Sequence, residues 1–363
     1  MKSLRVLHVA DVHLGIKFKG LPPAKARIRR EDLKKTFSKM IDLTQSSRSN
    51  VLLIAGDLFD DPYPPPSLIS FVINEMKRAQ IPVFLIPGNH DPMVKGSVYS
   101  ENDFPSNVTI FDKEFSTKTI GDLAVHGIAY DSEKFDKHIL KDLPEPLPDK
   151  YNIALVHGSY KVMDFGDENY YPIEKEEIEG SKMDYIALGH FHTFHEIKTS
   201  VPACYPGTPD GLGFNDTGQR GVVLVDLDKN GVNINPNNIN SKVYETYELE
   251  CTDMVNEMEI ETKIREKSDP GKLLRVKLSG VPEKLLKLDS ETMLEEIEDS
   301  FFHLEIIDNI TSPSDLQVDN TIKGAFISKM QGKISGSNDP EEKKLLERAL
   351  RLGIQALDGG EIR

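Results

Sequence analysis

The first part of the chain alternates short, continuously apolar runs with longer segments whose apolar residues recur every three or four positions. Val51–Ala55 and Val83–Ile86 are apolar throughout, whereas residues 31–47 and 67–79 each place their apolar residues at helical spacing. A continuous apolar strand that follows a helix is typical of a parallel sheet whose two faces are both covered. The pattern therefore predicts βαβ units and an α/β domain.

Shorter strand-like segments follow this region. Residues 108–111 and 123–129 predict strands of a second sheet packed on the first, and residues 151–156 and 183–188 predict two further buried strands. Residues 4–10 form a similar run at the start of the chain.

The pattern changes near residue 245. Residues 243–249 are either the last strand of the first domain or a linker, and the following segments predict the order helix, strand, helix, strand at residues 253–267, 273–278, 291–301 and 302–307. This order is typical of a small α+β domain. We therefore divide the chain into an α/β domain at residues 1–245, a small α+β domain at 246–312 and a C-terminal helical segment at 313–363.

The last of these three segments contains a strong helix start. Asp339 is a good N-cap, and Pro340 suits the first turn. The apolar stripe that follows either packs within its own domain or binds a helical partner.

Composition indicates a globular protein without a disulfide framework. The 363 residues are 38% hydrophobic and 28% charged, with two cysteines, and no apolar run approaches the length of a membrane helix. The chain begins with a strand and not with a signal peptide, so we expect a cytoplasmic protein. The net charge of −15 is unfavourable for binding nucleic acid, although an acidic protein can still carry a basic face.

One segment of the acidic chain is strongly basic. Residues 17–30 contain no acidic residue, and their basic residues are Lys17, Lys19, Lys25, Arg27, Arg29 and Arg30. We predict a loop after the first strand that either steers phosphates or is simply solvated.

Side chains suited to metal binding follow several of the predicted strands. They are Asp11, His13, Asp57, Asn89, His90, Asp91, His157, His190 and His192. Because ligands bind at the carboxyl ends of strands in open α/β sheets, these residues predict a shared metal site. Its number of ligands favours two divalent ions, which together can clamp the attacking and leaving oxygens of a phosphoryl displacement. Mixed His, Asp and Asn donors favour Mn, Fe or Zn over Ca, and Mg normally takes fewer imidazoles.

These motifs, in this order, resemble the signature motifs of the calcineurin-like metallophosphoesterase superfamily. The resemblance implies a four-layer α/β/β/α sandwich with two metal ions, of which Mn²⁺ is the favoured type. It implies that Asp11, His13 and His192 bind the first ion, that Asn89, His157 and His190 bind the second, and that Asp57 bridges them. It also implies that His90 acts on the phosphate or the leaving oxygen and that Asp91 orients the ring of His90.

The residues that flank these motifs resemble those of DNA double-strand-break repair nucleases of the SbcD and Mre-eleven type. This resemblance implies hydrolysis of DNA phosphodiester bonds by a metal-bridging hydroxide, and a small capping domain after residue 245. It also implies a homodimer formed through helices near residues 67–79 and 92–104, and an SMC-like coiled-coil ATPase as partner. We include Asp60, Arg27, Arg29 and Arg30 as candidate substrate-binding residues.

Asp60 departs from the pattern of the archaeal and eukaryotic repair nucleases, which usually have a histidine near the scissile phosphate at this position. A carboxylate there disfavours processive exonuclease action. Two alternatives to a DNA nuclease are a phosphodiesterase for a small nucleotide or other phosphoester, and a scaffold without catalysis.

Overall fold

A computed structural model describes residues 2–131, 136–161, 170–280, 290–310 and 321–357 of the chain. The chain divides into two compact units, Met1–Val243 and Tyr244–Arg363. The predicted boundary between residues 312 and 313 lies outside the described residues.

The first unit contains two six-stranded sheets, a two-stranded sheet and several helices. Its strands are β1 (Leu4–Val9), β2 (Val51–Ala55), β3 (Val83–Ile86), β4 (Val108–Ile110), β5 (Ser116–Ile120), β6 (Leu123–Gly127), β7 (Tyr151–His157), β8 (Ser159–Tyr160), β9 (Pro172–Ile173), β10 (Tyr185–Gly189), β11 (His195–Ile197), β12 (Ala203–Tyr205), β13 (Gly221–Asp228) and β14 (Gly231–Asn238). Its helices are α1 (Pro23–Ser46), α2 (Pro66–Ala79), α3 (Val98–Glu101) and α4 (Lys175–Gly180), and a short 3-10 helix spans Ile139–Asp142.

The two large sheets pack face to face. Their strand orders are β14-β13-β1-β2-β3-β4 and β11-β12-β10-β7-β6-β5, and one buried cluster draws Val6 and Leu53 from the first sheet and Val125 and Leu155 from the second. Helices α1 and α2 cover the outer face of the first sheet, and α4 with the 3-10 helix covers that of the second. The predicted four-layer α/β/β/α sandwich is therefore confirmed.

Strands β1 to β4 pair in parallel with one another, as do β6, β7, β10 and β12. Parallel pairing brings the carboxyl ends of neighbouring strands to one edge of each sheet. The residues that follow β1, β2 and β3 therefore lie close together, as do those that follow β7 and β10.

Helix α1 begins at Pro23, well before the predicted start at residue 31. Proline suits the first position of a helix because its φ angle is already helical and its missing N–H would have had no partner. The prediction that the basic segment is a loop up to Arg30 is wrong, because Lys25 and the arginines lie on α1.

The region 92–104, which was predicted to supply a helix to a dimer interface, contains only the single-turn helix α3. A short helix is therefore present in this region, and its part in a dimer interface stays a prediction. The homodimer itself stays a prediction.

The second unit contains a three-stranded sheet of β15 (Val243–Glu250), β16 (Asp269–Ser279) and β17 (Phe301–Asp308). Helices α5 (Glu257–Arg265) and α6 (Ser290–Ile297) pack on it through a shared apolar cluster, and a 3-10 turn, Glu298–Ser300, precedes β17. The segment 243–249, for which strand and linker were both open, is a strand of this sheet. A capping role for this unit stays a prediction.

Helices α7 (Ile322–Gly336) and α8 (Pro340–Leu357) pack against each other. Ile327 and Met330 of α7 contact the same small cluster as Leu350 and Ile354 of α8. Part of the apolar stripe of α8 is therefore buried against α7. Among the described residues, none of the helices is both long and apolar enough to cross a membrane.

Candidate metal centre

Every predicted metal ligand lies at the carboxyl end of a strand of the sandwich. Asp11 and His13 follow β1, Asp57 follows β2, Asn89 follows β3, His157 ends β7, and His190 and His192 follow β10. The structure brings the ligands from the two sheets into one cluster.

The cluster contains two overlapping groups of donors. Asp11, His13 and His192 form one, and Asp11, Asp57 and His157 form the other, with the ligand atoms of each group within 4.8 Å of one another. Oδ2 of Asp57 lies 3.6 Å from Nε2 of His13 and 3.4 Å from Nε2 of His157. Asp11 therefore belongs to both groups, and the carboxylate of Asp57 faces one histidine of each group.

Asn89 joins the second group to the remaining histidine. Its Oδ1 lies 2.8 Å from Nε2 of His157 and 3.2 Å from Nδ1 of His190. The rings of His157 and His190 lie edge to face, with their centroids 5.3 Å apart. Asn89, His157 and His190, the predicted ligands of the second ion, are thus neighbours.

The donors fit divalent metal ions on chemical grounds. Nδ1 of His157 donates to the carbonyl oxygen of Ala55 at 2.9 Å, so Nε2 is the nitrogen that faces Asp57 and Asn89. Nε2 of His13 is buried, and within the described part of the chain it has no hydrogen-bond partner. Imidazole nitrogens that face carboxylate and amide oxygens in a buried cluster are placed to share a bound cation with those oxygens.

The backbone is strained at several of these ligands. Asp11, His13, Asp57 and His190 have φ angles of 53°, 50°, 51° and 112°, in the region that side-chain-bearing residues rarely adopt. Such strain clusters at functional sites, where the surrounding fold imposes it. Four ligands in this region indicate that the fold positions these side chains at the expense of local backbone energy.

Two glycines allow the loops to approach closely. A Cβ on Gly88 would lie 2.1 Å from Oδ1 of Asp57, and one on Gly189 would lie 1.8 Å from the carbonyl oxygen of Ala55. Both distances are far below van der Waals contact, so a side chain at either position would displace the ligand loops.

The buried charges strongly perturb one another. Burial raises the pKa of Asp11 to about 6, although His157 and His192 oppose this effect. Burial would also raise the pKa of Asp57, but the neighbouring histidines, with His157 first among them, together outweigh it and hold that pKa far below the usual aspartate range. Burial would lower the pKa of His157, but the charge of Asp57 raises it to about 9. Asp57 is therefore the most readily ionised carboxylate of the cluster.

Asp91 supports the loops and not the ring of His90. Its carboxylate accepts hydrogen bonds from the backbone N–H of Gly88 at 2.7 Å and of Phe59 at 2.9 Å, and from the hydroxyl of Tyr99 at 2.5 Å. Burial, followed by the charge of Asp57, raises the pKa of Asp91 to about 7. The prediction that Asp91 orients His90 is therefore wrong, because its oxygens tie the loop after β3 to the loop after β2.

The carboxylate near His90 is instead Asp60. Its Oδ1 lies 3.9 Å from Nδ1 of His90 and 3.3 Å from Nδ1 of His13. The side chain of His90 is 47% exposed, whereas that of His13 is 2% exposed. His90 is therefore accessible to a substrate at the open side of the cluster.

His90 also belongs to a group of possible metal ligands. His13, Asp57 and His90 form a third group whose ligand atoms lie within 4.8 Å of one another. Its role as an acid and not a ligand stays a prediction.

Arg29 is not a surface residue. It is fully buried, and its Nη2 donates to Oδ1 of Asp210 at 2.8 Å and to the carbonyl oxygen of Gly211 at 3.0 Å. The prediction that Arg29 contacts substrate is wrong, because its charge is neutralised inside the fold. Arg27 and Arg30 retain exposed surface.

Sequence reasoning missed two residues around the centre. The hydroxyl of Tyr99 donates a hydrogen bond to Asp91, and Oδ1 of Asp216 lies 3.3 Å from Nδ1 of His192. Neither belongs to the motifs at the strand ends, and neither is adjacent in sequence to its partner.

Comparisons with known proteins agree with this geometry. The chain matches the family model described as calcineurin-like phosphoesterase over residues 4–194. It is 26% identical over 319 residues to an uncharacterized metallophosphoesterase, YhaO, of Bacillus subtilis, which covers 82% of this chain and 77% of that protein.

It is also similar to two proteins described as the DNA double-strand break repair protein Mre11. The identity is 28% over 286 residues for that of Sulfurisphaera tokodaii, with 74% of this chain and 70% of that protein covered. The identity to the protein of Methanosarcina acetivorans is 26% over 356 residues, with 94% of this chain and 52% of that protein covered. Because the family model spans more than half of the sequence and includes every predicted metal ligand, the chain belongs to the calcineurin-like phosphoesterase family.

Proposed function

We propose that this protein is a two-metal phosphodiesterase that hydrolyses DNA. The observation that carries the proposal is the position of Asp57 between two groups of buried donors, 3.6 Å from His13 and 3.4 Å from His157. A carboxylate that faces one histidine of each donor group suits a pair of ions that act together on one phosphoryl group.

The donor set supports divalent ions of the first transition series. Asp11, His13 and His192 would hold one ion, Asn89, His157 and His190 the other, and Asp57 both. Bound there, the ions would activate water near neutral pH and offset the negative charge of the phosphate. Manganese is the ion we propose, with iron, zinc and magnesium as alternatives that metal analysis separates.

The remaining side chains have distinct roles in this proposal. His90 is exposed enough to meet the substrate, and as an imidazole it can protonate the leaving oxygen. Burial lowers the pKa of His90, and the negative charges of Asp57 and then Asp60, whose Oδ1 lies 3.9 Å from Nδ1 of His90, partly offset this effect. Asp91 holds the two ligand loops together and does not act on the substrate.

DNA as the substrate is supported by the Mre11 relatives and by the position of the basic residues. Helix α1 follows β1, so its amino-terminal end lies at the carboxyl edge of the sheet, the edge that carries the metal centre. Arg27 and Arg30 lie near this end, and Lys17 and Lys19 are exposed in the loop before it. Positive charge on that side would attract a polyanion to the cluster.

A smaller phosphodiester is the second candidate. The net charge of −15 and the carboxylate of Asp60 near the open side of the cluster both disfavour a polyanion relative to a singly charged ester. An SMC-like ATPase partner and a homodimer belong to the same proposal as DNA. Leu345 of α8, which is 68% exposed, is an apolar position available for contact with such a partner.

The three functions can be separated by an assay of the purified chain with Mn²⁺. Single-stranded DNA, duplex DNA and bis-p-nitrophenyl phosphate would be incubated with the protein, and an Asp57→Ala variant would show that any cleavage depends on the metal centre. We expect cleavage of DNA and of the small ester. Cleavage of the ester alone would refute the nuclease proposal in favour of the second candidate, and no cleavage of any substrate would favour a non-catalytic scaffold.

A further inference from the structure

Asp216 is a buried carboxylate next to the metal cluster that lies outside all the strand-end motifs. Its side chain belongs to the segment 207–216, which follows β12 and returns toward the loop after β10. We propose that Asp216 is a positioning residue that holds the imidazole of His192 in the orientation and tautomer required for metal binding. This inference depends on the metal-binding role of His192 but not on DNA as the substrate.

The contacts of Asp216 are divided between the ligand and its own loop. Oδ1 lies 3.3 Å from Nδ1 of His192, and Oδ2 accepts a hydrogen bond from the backbone N–H of Leu212 at 3.0 Å. The residue is 5% exposed. Since an ionised carboxylate only accepts hydrogen bonds, its contact with His192 requires a proton on Nδ1. The other ring nitrogen, Nε2, then carries the lone pair that a metal ion needs.

The backbone of the His192 loop is held by the same region. The backbone N–H of Thr208 donates to the carbonyl oxygen of His192 at 3.0 Å, and Nη1 of Arg220 donates to the same oxygen. Gly207, with a φ angle of 76°, lies so close that a Cβ there would be 2.7 Å from this carbonyl oxygen. Both the ring and the backbone of His192 are therefore positioned by residues 207–220.

The segment is anchored at its other end by the buried arginine of α1. Asp210 accepts hydrogen bonds from Nη2 of Arg29 at 2.8 Å, from the hydroxyl of Thr36 at 2.9 Å and from the hydroxyl of Ser241 at 2.6 Å. Both Arg29 and Asp210 are fully buried. A buried, hydrogen-bonded ion pair of this kind resists displacement, because breaking it would leave a charge without compensation. Asp216 therefore extends from a rigid loop.

The same arrangement occurs at the other imidazole of this donor group. Nδ1 of His13 lies 3.3 Å from Asp60, as Nδ1 of His192 does from Asp216. Both histidines that accompany Asp11 therefore have a carboxylate on Nδ1, whereas Nδ1 of His157 donates to a backbone carbonyl. A carboxylate partner raises the basicity of an imidazole ligand more than a neutral acceptor does.

The test measures metal binding and not turnover. The metal-free chain would be titrated with Mn²⁺ by calorimetry for the wild type, for Asp216→Asn and for Asp226→Asn. Asp226 pairs with Arg5 at 2.6 Å on β13 and serves as the matched control for loss of a carboxylate in the same unit. We expect Asp216→Asn to weaken one of the two ions about 10–100-fold and to leave the other, and the control, unchanged.

A variant that merely loosened the loop would give a different result. Thermal unfolding of the metal-free proteins would report such a loss, and the Asp216→Asn change would also be made in a His192→Ala background. If Asp216 acts through His192, it should have no further effect on Mn²⁺ affinity there. An equal effect in both backgrounds, or unchanged affinity in Asp216→Asn, would overturn this inference but not the metal centre. A wild-type chain that binds no Mn²⁺ would overturn the metal centre and this inference together.

Discussion

Oδ1 of Asp60 lies 3.3 Å from Nδ1 of His13, the buried histidine whose Nε2 faces the metal cluster. The same oxygen is 3.9 Å from Nδ1 of His90. Burial alone would lower the pKa of His13, but the hydrogen bond with Asp60 and the charges of Asp57 and Asp11 raise it. Asp60 therefore acts on two imidazoles, one a proposed ligand and one the proposed acid, in addition to adding negative charge near the phosphate.

Asp60→Asn tests this dual contact. The change keeps the shape of the side chain but removes the charge that stabilises both imidazoles. We expect turnover of bis-p-nitrophenyl phosphate at saturating Mn²⁺ to fall roughly 10–100-fold, as is usual when the outer partner of a metal-bound histidine is lost. Steady-state kinetics would measure the change.

Asp61→Asn is the matched control for that experiment. Asp61 is exposed and accepts a hydrogen bond from the backbone N–H of Tyr63 at 2.8 Å, a contact within its own loop. Its replacement should leave turnover nearly unchanged. Equal losses in the two variants would mean that the loop, and not the contact of Asp60 with the histidines, is responsible.

His90→Ala separates an acid from a ligand. Because His90 is half-exposed and lies at the open side of the cluster, we expect the variant to bind as much Mn²⁺ as the wild type while its turnover falls about 10²–10⁴-fold. Asp57→Ala, in contrast, should lose metal. Metal analysis after dialysis measures both. Loss of an ion from His90→Ala would show that the group of His13, Asp57 and His90 is a ligand set.

The ligands of this centre could be predicted because their chemistry is local in sequence. Each lies at or just after the end of an apolar strand, and parallel strands of one sheet bring their carboxyl ends to one edge, so the meeting of Asp11 and Asp57 follows from the order of the strands. The supporting contacts are different. Asp91 bonds to Phe59, Asp216 to His192 and Arg29 to Asp210, across 32, 24 and 181 residues, and no sequence spacing specifies such pairs.

Helix α7 lies in the segment predicted to be helical, but its bounds could not be predicted from the sequence, for a physical reason. Its interior contains Gly324 and Gly332, which disfavour a helix, and its apolar residues do not form one clear stripe. It is stabilised by packing on α8 through Ile327 and Met330. Tertiary contacts of this kind override local propensity and are not visible in the sequence of one segment.

The basic residues near the start of α1 can be tested by charge reversal. Arg27 and Arg30 would be changed to glutamate together, with Arg29 left intact because it is buried against Asp210. We expect weaker binding of duplex DNA and a smaller dependence of the affinity on salt, since fewer phosphates would be neutralised. Fluorescence anisotropy at several salt concentrations measures both quantities.

Arg48 and Lys77 supply the control for this charge reversal. Both are exposed and lie just before β2 and β3, at the edge of the sheet opposite the metal centre. Arg48→Glu with Lys77→Glu changes the net charge by the same amount but should weaken binding much less. Equal weakening by the two pairs would indicate a general effect of charge and not a DNA-binding face.

His8 connects the two sheets of the sandwich and should make stability depend on pH. Its Nδ1 lies 2.8 Å from the hydroxyl of Tyr185, so that β1 and β10, the strands before Asp11 and His190, are joined across the core. Burial lowers the pKa of His8 to about 3, although a backbone hydrogen bond with Leu188 partly opposes the shift. The folded protein therefore keeps this imidazole neutral at a pH where the unfolded chain already protonates it.

The sign of the effect follows from this difference. Between the folded pKa near 3 and an unfolded pKa of about 6.5, the unfolded chain binds one more proton at His8 than the folded protein does. The free energy of unfolding therefore rises with pH across this window and reaches its full value above it. On going from pH 7 to pH 5, His8 should cost the wild type about 2 kcal/mol. His8→Gln, which stays neutral and can still bond to Tyr185, should lack this contribution. Urea unfolding of both proteins in EDTA at the two pH values measures it. A difference in stability between them that does not change with pH would show that His8 does not titrate as the buried geometry requires.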